Sequence, residues 1–313
     1  MDDKRVAILI PCYNEEATVT KVVEDFRRVA PNADIYVYDN ASDDATSTLA
    51  REAGALVRYE KRRGKGNVVA TMFREINADY YVMVDGDDTY PADNLEDLLE
   101  PLREQKADMV VGARLSQGSE GAFRPLHVFG NRLVAWCVRV IFPGRAISDV
   151  MSGYRSMTRA LVKQVPVGSA GFAVETELTL QALFRGFVIQ ETPVPYSDRP
   201  EGSVSKLRTF PDGARVLLKI VDMFKAFRPL LFFGLLGLLV SGVGFALGSV
   251  PIIEFAQTGR VDRFPTAILA ASLEIVAIVL IACGVVLDSF NHRLREHAQV
   301  VIKLVGDPGG PVD

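Results

Sequence analysis

Two long apolar stretches near the end of the chain constrain its fold most. Residues 230–253 carry no charged side chain, and residues 264–287 carry only Glu274. A helix needs about 20 apolar residues to cross the hydrocarbon core of a bilayer, and each stretch exceeds that length. They predict two membrane spans joined by a short loop containing Glu254, Arg260, Asp262 and Arg263. The alternative is a helical hairpin buried in a soluble domain. Gly234, Gly237, Gly242, Gly244 and Gly248 suit close helix packing in lipid. Glu274 is costly to bury as a charge, so it is expected to be protonated, to face a partner helix, or to lie near an interface.

Basic residues set the expected orientation. Lys219, Lys225 and Arg228 precede the first span, and Arg293, Arg295 and Lys303 follow the second. The two arginines of the connecting loop are balanced by acids. This bias predicts an integral protein of the cell membrane with both termini on the cytoplasmic side. In residues 210–227, Val216, Leu217, Ile220, Val221, Phe224 and Phe227 recur at helical spacing. They predict an amphipathic helix in the membrane interface, with Arg215, Lys219 and Lys225 toward the head groups. Packing of that helix on a soluble domain is the other reading.

The first two hundred residues have a different character. Residues 6–11, 35–38, 56–59, 80–84 and 109–111 read as short buried strands. Helical patterns fill residues 15–29, 44–53, 67–76 and 92–104. Such alternation predicts an α/β domain with a mostly parallel sheet covered on both faces. Sheets of this kind bind ligands beyond the carboxyl ends of their strands. The formal net charge of −4 gives no global basic field for nucleic acid. Cys12, Cys137 and Cys283 are too widely spaced for a zinc pattern or a disulfide framework.

Acidic residues follow three of the predicted strands. The segments are Pro11-Cys12-Tyr13-Asn14-Glu15-Glu16, Asp39-Asn40-Ala41-Ser42-Asp43-Asp44 and Asp85-Gly86-Asp87-Asp88. Carboxylates at such positions bind a cation or accept hydrogen bonds from a ligand. Helix capping accounts for Ser42, Asp43 or Asp44, but not for the carboxylates after the fourth strand. Asp85 and Asp87 are expected on one side of an extended segment, with Gly86 permitting close approach. Hard oxygen donors of this sort suit Mg2+ or Mn2+ held jointly with a diphosphate. Arg62-Arg63-Gly64-Lys65-Gly66 opens a helix and suits a phosphate, although it lacks the spacing of a Walker loop.

The combination of Pro11–Glu15, Asp39, Asp85–Asp87 and Ser152-Gly153-Tyr154-Arg155, in that order, resembles the inverting family-2 glycosyltransferases of the GT-A (Rossmann-like) fold. With two apolar spans following, the chain resembles their polyprenyl-phosphate branch, which includes dolichol-phosphate mannose synthases and undecaprenyl-phosphate glucosyltransferases. The resemblance implies transfer of one hexose from a nucleotide-sugar donor to a polyprenyl phosphate in the membrane. It divides the chain into a cytoplasmic catalytic domain (1–209), an interfacial helix (210–228), a two-helix transmembrane hairpin (229–288) and a cytoplasmic tail (289–313).

By the same resemblance, Pro11, Tyr13, Glu15, Asp39 and Lys65 hold the nucleotide, and Asp85 and Asp87 hold the metal, with Asp87 the direct ligand. Arg114, Arg199 and Lys206 meet the acceptor phosphate. Glu175, Glu177 and Arg155 are further candidates. Asp149 corresponds to a residue sometimes assigned as a base. A phosphate monoester has a second pKa near 6, so the acceptor is mostly an oxyanion at neutral pH and needs no base. Asp149 therefore stands as a catalytic candidate that either removes a proton or orders the metal or a neighbouring arginine. The segment from Arg199 to Lys206 is one residue longer than in mannose synthases, which favours a UDP-sugar over GDP-mannose. Similar enzymes include homo-oligomers, and nothing in these residues requires one. Two other readings stay open: transfer to a different membrane lipid, which needs a true base at Asp149 or Glu177, and a silent membrane subunit that binds nucleotide sugar.

Overall fold

The computed structural model describes residues 4–114, 125–144, 147–168, 173–200 and 209–305. Lys206, with the rest of its loop, and the last eight residues of the tail lie outside the described residues.

The first apolar run forms strand β1 (Val6–Cys12). It is followed by β2 (Asp34–Asp39), β3 (Leu56–Tyr59), β4 (Tyr80–Met83), β5 (Met109–Arg114), β6 (Arg155–Thr158) and β7 (Ile189–Val194). They build one sheet in the order β3-β2-β1-β4-β6-β5-β7. Only β6 runs antiparallel to its neighbours β4 and β5. The carboxyl ends of β1, β2, β4 and β5 therefore share one edge, and the chain order reverses beside β1.

The helices are α1 (Val19–Val29), α2 (Thr46–Glu52), α3 (Lys65–Glu75), α4 (Leu95–Arg103), α5 (Pro125–Ile141), α6 (Arg159–Gln164), α7 (Val174–Arg185), α8 (Thr209–Phe227), α9 (Pro229–Thr258) and α10 (Phe264–Val305). Side chains alternate across a strand, so β1 feeds two cores. Ile8 and Ile10 pack with Val22, Val23 and Phe26 of α1 and Leu95, Leu98 and Leu99 of α4. Ala7 and Leu9 pack with Val68, Val69 and Met72 of α3, Leu161 of α6 and Leu178 of α7. Each fully buried aliphatic or Phe side chain contributes about 1.5–3 kcal/mol. The functional loops thus rest on a sheet covered on both faces.

Two local differences from the sequence reading matter for the site. The helix expected from Glu15 begins at Val19, because Asn14 takes a φ of 52° and the chain loops away after β1. The segment Asp85–Asp88 is a turn and not extended chain. Gly86 is required there by space: a Cβ would stand 2.6 Å from Cys12 Sγ.

The chain divides into two compact units, the first running to Ile220 and the second spanning Val221–Leu304. The second unit holds the end of α8 together with α9 and α10, and these last two are long and apolar enough to cross a membrane. Only 11% and 17% of their most apolar windows are buried, which sets them apart from helices of a soluble core. Close packing uses Gly237 and Gly244: a Cβ there would meet Ile281 Cγ1 at 2.7 Å and Glu274 Oε1 at 2.8 Å. Gly234 and Gly242, expected to serve the same end, have no such neighbour among the described residues. Glu274 faces the partner helix, accepting a 2.7 Å hydrogen bond from Ser241 Oγ.

Helix α8 forms where the apolar pattern placed it. Val216 and Ile220 are buried, while Leu217, Leu218 and Val221 are exposed. Lys219 differs from the expectation. Its amine is drawn onto Glu177 of α7 at 2.9 Å, because a buried carboxylate attracts the cation within reach.

Candidate active site

The loops after β1 and β2 lace together into one wall. Asn14 N donates to Ser42 Oγ at 3.0 Å, Asp43 N donates to Asn14 Oδ1 at 2.9 Å, and Glu15 N donates to Thr46 Oγ1 at 2.8 Å. Asp39 is buried and accepts from Ser42 N at 3.0 Å and Ser47 Oγ at 2.7 Å. Pro11 lies in β1 in register with Tyr38, one pair before Cys12 and Asp39. The Arg63 guanidinium lies 5.1 Å from the centre of the Tyr13 ring and donates to its hydroxyl at 3.1 Å. Pro11, Tyr13, Glu15 and Asp39 thus come from two adjacent strand ends.

Asn40 fixes the basic turn against this wall. Its amide nitrogen donates to the carbonyls of Glu60 at 2.9 Å and Arg62 at 2.8 Å, and its oxygen accepts from Gly64 N at 2.6 Å. Asn40 is a positioning residue that local sequence pattern did not single out. Beneath it, Glu60 accepts from Arg62 Nη2 at 2.9 Å and Thr71 Oγ1 at 2.5 Å. The Arg62 and Thr71 hydrogen bonds hold the Glu60 carboxyl down at about 2.

The acidic centre follows β4. Asp85 pairs with Lys65, whose amine also lies 2.5 Å from Glu175 Oε1 of α7. Lys65 thus stands beside Asp85 and Glu175. Its charge is stabilised: the Asp85 and Glu175 carboxylates outweigh the burial that would otherwise release its proton. Asp87 is buried, accepts from Thr89 Oγ1 at 2.6 Å and pairs with Arg199 Nη2 at 2.5 Å. Burial, and then the Asp85 charge, push the Asp87 carboxyl above the usual carboxylate range. Gly153 makes room for Asp85: a Cβ would lie 2.2 Å from Asp85 Oδ2. Asp88 turns away to Lys21 at 2.8 Å.

Beyond β5, Arg114 and Asp149 form a two-pronged pair. Arg114 Nε donates to Asp149 Oδ2 at 2.7 Å and Nη2 donates to Oδ1 at 2.8 Å. Asp149 is oriented in turn by Glu191, whose Oε1 accepts its N–H at 2.8 Å. The Arg114 guanidinium stands 5.4 Å from the Tyr196 ring centre. Tyr196 packs edge-on to Tyr90, whose hydroxyl accepts from Gly153 N at 3.1 Å. Ser197 N donates to Thr89 O at 3.0 Å, so the Tyr196 segment joins the Arg114 side to the Asp87 turn.

Residues 7–166 match the model of the family described as glycosyl transferase family 2. The chain belongs to this family. It is similar to glycosyltransferase AglJ of Haloferax volcanii, with 33% identity over 300 residues covering 96% of this chain and 98% of that one. It is also similar to a dolichyl-phosphate hexose transferase of the same organism, 30% identical over 218 residues, or 70% and 93% of the two chains. In fold it resembles the crystal structure of Mycobacterium tuberculosis glucosyl-3-phosphoglycerate synthase in complex with Mn2+, uridine-diphosphate and phosphoglyceric acid. That likeness has a TM-score of 0.59 at 19% identity, over 71% of this chain and 79% of that one.

The family-2 domain brings the predicted residues together unequally. Lys65 joins Asp85 and Glu175 in one group of ion pairs, and Asp87 pairs with Arg199 beside it. Arg114 and Asp149 form another. Glu177 sits apart, between Lys219 and the Gly168 N–H, which reaches it at 3.1 Å. Arg155 is no ligand-facing candidate in this fold. It is completely buried and donates to the carbonyls of Ser152 at 2.8 Å and Val150 at 2.5 Å, and to Thr179 Oγ1 at 2.8 Å. Tyr90 and Tyr196 were missed, although each neighbours a charged motif: Tyr90 follows Asp88-Thr89, and Tyr196 precedes Asp198-Arg199.

Among the described residues, no three His, Cys, Asp or Glu side chains converge as a metal cage. The donors do fit a divalent ion shared with a diphosphate. Asp85 and Asp87 offer hard oxygens, and Gly153 keeps the space for Asp85 clear.

Proposed function

We propose that this chain transfers a single hexose, with inversion, from a nucleotide sugar to the phosphate of a polyprenyl lipid. The observation that carries this reading is the state of the two carboxylates available as bases. Both oxygens of Asp149 are bonded to Arg114, and Glu177 is bonded to Lys219 and the Gly168 N–H. A hydroxyl acceptor needs a base near its proton. A phosphate acceptor is an oxyanion at neutral pH and needs cations that orient it. The site offers cations.

In this mechanism Pro11, Tyr13, Glu15 and Asp39 hold the nucleoside, and Lys65 meets the diphosphate beside Asp85. Asp85 and Asp87 would hold Mg2+ or Mn2+, which would supply Lewis-acid stabilisation of the departing diphosphate. Arg114, oriented by Asp149 and Glu191, receives the acceptor phosphate together with Arg199 and Lys206. The acceptor oxygen attacks the anomeric carbon from the face opposite the nucleotide, and the bond to the diphosphate breaks. The uridine-diphosphate in the solved structure of similar fold, and the long Arg199–Lys206 segment, support a UDP-sugar over GDP-mannose. The similar dolichyl-phosphate hexose transferase supports the lipid acceptor.

Helices α9 and α10 anchor the chain in the cell membrane, with residues 1–209 as the catalytic domain, 210–228 at the interface and 289–313 as the tail. The basic residues flanking the spans support a cytoplasmic catalytic domain and termini. The acceptor class is tested by offering polyprenyl phosphate, the corresponding polyprenol and diacylglycerol side by side. Transfer to the phosphate alone is expected; transfer to either alcohol would refute this choice of acceptor.

A further inference from the structure

The acidic centre already contains cations, and they occupy the faces that a metal needs. Asp87 has one oxygen bonded to Thr89 and the other 2.5 Å from the Arg199 guanidinium. A divalent ion at that second oxygen would stand beside the guanidinium with no anion between them. Lys65 pairs with Asp85 and Glu175, and Arg199 pairs with Asp87, so three negative charges stand against two positive. Withdrawal of Arg199 leaves two uncompensated negative charges, the complement of one divalent ion. Arg199 is also held by only part of its fork. Its Nη1 is buried and has no hydrogen-bond partner among the described residues, which is unfavourable for a guanidinium with five donors.

We propose that Arg199 is an exchangeable counter-ion of Asp87, which gives way to the divalent ion when a nucleotide diphosphate arrives and is thereby released to bind a phosphate oxygen. The inference rests on the metal-dependent reading above and adds an order to it. Free protein holds Asp87 closed. The ion and the diphosphate bind as a pair, because the diphosphate supplies the anion that both the ion and the released guanidinium require. The acceptor phosphate meets a competent Arg199 only after the donor is in place. Arg199 thus acts as a positioning residue for binding order as well as a contact.

The test is Mn2+ binding, measured by electron paramagnetic resonance and calorimetry on the detergent-solubilised full chain, with and without UDP. Wild type is expected to bind Mn2+ at least tenfold tighter with UDP than without. Arg199→Gln is expected to bind Mn2+ alone at least fivefold tighter than wild type and to lose most of the UDP-dependent gain. Arg199→Lys, which keeps the charge, is expected within twofold of wild type. Arg103→Gln, an equal charge change at an exposed helix end, is expected to leave Mn2+ affinity unchanged. An Arg199→Gln protein that binds Mn2+ no tighter than wild type, or a gain matched by Arg103→Gln, overturns the exchange while leaving the metal site standing. Absence of Mn2+ binding by wild type even with UDP removes the metal reading itself, and this inference with it.

Discussion

Asp149 grips the Arg114 guanidinium with both carboxylate oxygens, at 2.7 and 2.8 Å, and is itself held by Glu191. That geometry makes Asp149 a positioning residue on the proposed reading. Asp149→Asn keeps the shape and removes the charge. It is expected to lower kcat/KM by about 10- to 100-fold, mainly through a higher KM for the lipid acceptor. The pH profile between 6 and 8 is expected to keep its shape. A much larger loss in kcat at unchanged acceptor affinity would instead mark Asp149 as a base.

A side chain at Gly153 is expected to push Asp85 out of place. A Cβ at that position falls 2.2 Å from Asp85 Oδ2 and 2.8 Å from Asp85 Cγ. Gly153→Ala is predicted to displace the carboxylate and to weaken UDP-dependent Mn2+ binding by about 10- to 100-fold. Overpacking is expected to lower stability by about 1–3 kcal/mol, so the variant remains folded at room temperature. Calorimetric titration of Mn2+ and UDP reads the first effect and thermal melting the second.

Glu60 links stability to pH. Its folded pKa of about 2 lies below the unfolded value of about 4.3, so the unfolded chain binds the proton more readily. The contribution is complete above pH 5 and is lost as pH falls toward 2. Glu60→Gln is expected to be less stable than wild type by about 1.5–3 kcal/mol at pH 7, the range for hydrogen bonds to charged groups. The gap between the two melting temperatures is expected to narrow as pH is lowered from 5 to 3. A gap that stays constant would show that Glu60 acts by packing alone.

Arg155 is expected to matter for folding and not for ligand binding. It is completely buried and bonded to Ser152, Val150 and Thr179. Arg155→Met leaves those acceptors unpaired and is predicted to lower stability by about 2–4 kcal/mol. The folded fraction is expected to bind UDP with wild-type affinity, measured by titration at low temperature.

The sequence was most readable where side chains of one kind run together. Strands β1, β2, β4 and β5 are the expected apolar runs, and the acidic loops after β1, β2 and β4 stand out as motifs at their ends. Residues 56–59 form the expected strand β3, but at the sheet edge with Leu56, Arg58 and Tyr59 exposed and not buried. Strand β6 escaped because Arg155-Ser156-Met157-Thr158 reads as polar, and only the tertiary fold pairs its arginine with carbonyls. Strand β7 escaped because Pro193 and alternating polar residues weaken its pattern, which an edge strand tolerates. The identities of Asp85, Asp87, Asp149, Arg114 and Arg199 were legible as candidates. Their pairing was not, because contacts such as Lys65 with Asp85, or Asp87 with Arg199, join residues far apart in the chain. No local period encodes them. Local pattern was also misleading at Lys219, where an amphipathic helix promised a lipid-facing amine and the fold supplied Glu177.

The most direct test of the central claim is transfer of radiolabelled sugar to polyprenyl phosphate in detergent, across a panel of UDP- and GDP-sugars, with Mg2+ or Mn2+. Wild type is predicted to convert one UDP-sugar into an organic-extractable product that is lost with EDTA and with Asp87→Asn. No product from any donor, from a folded protein that still binds nucleotide, would contradict the account.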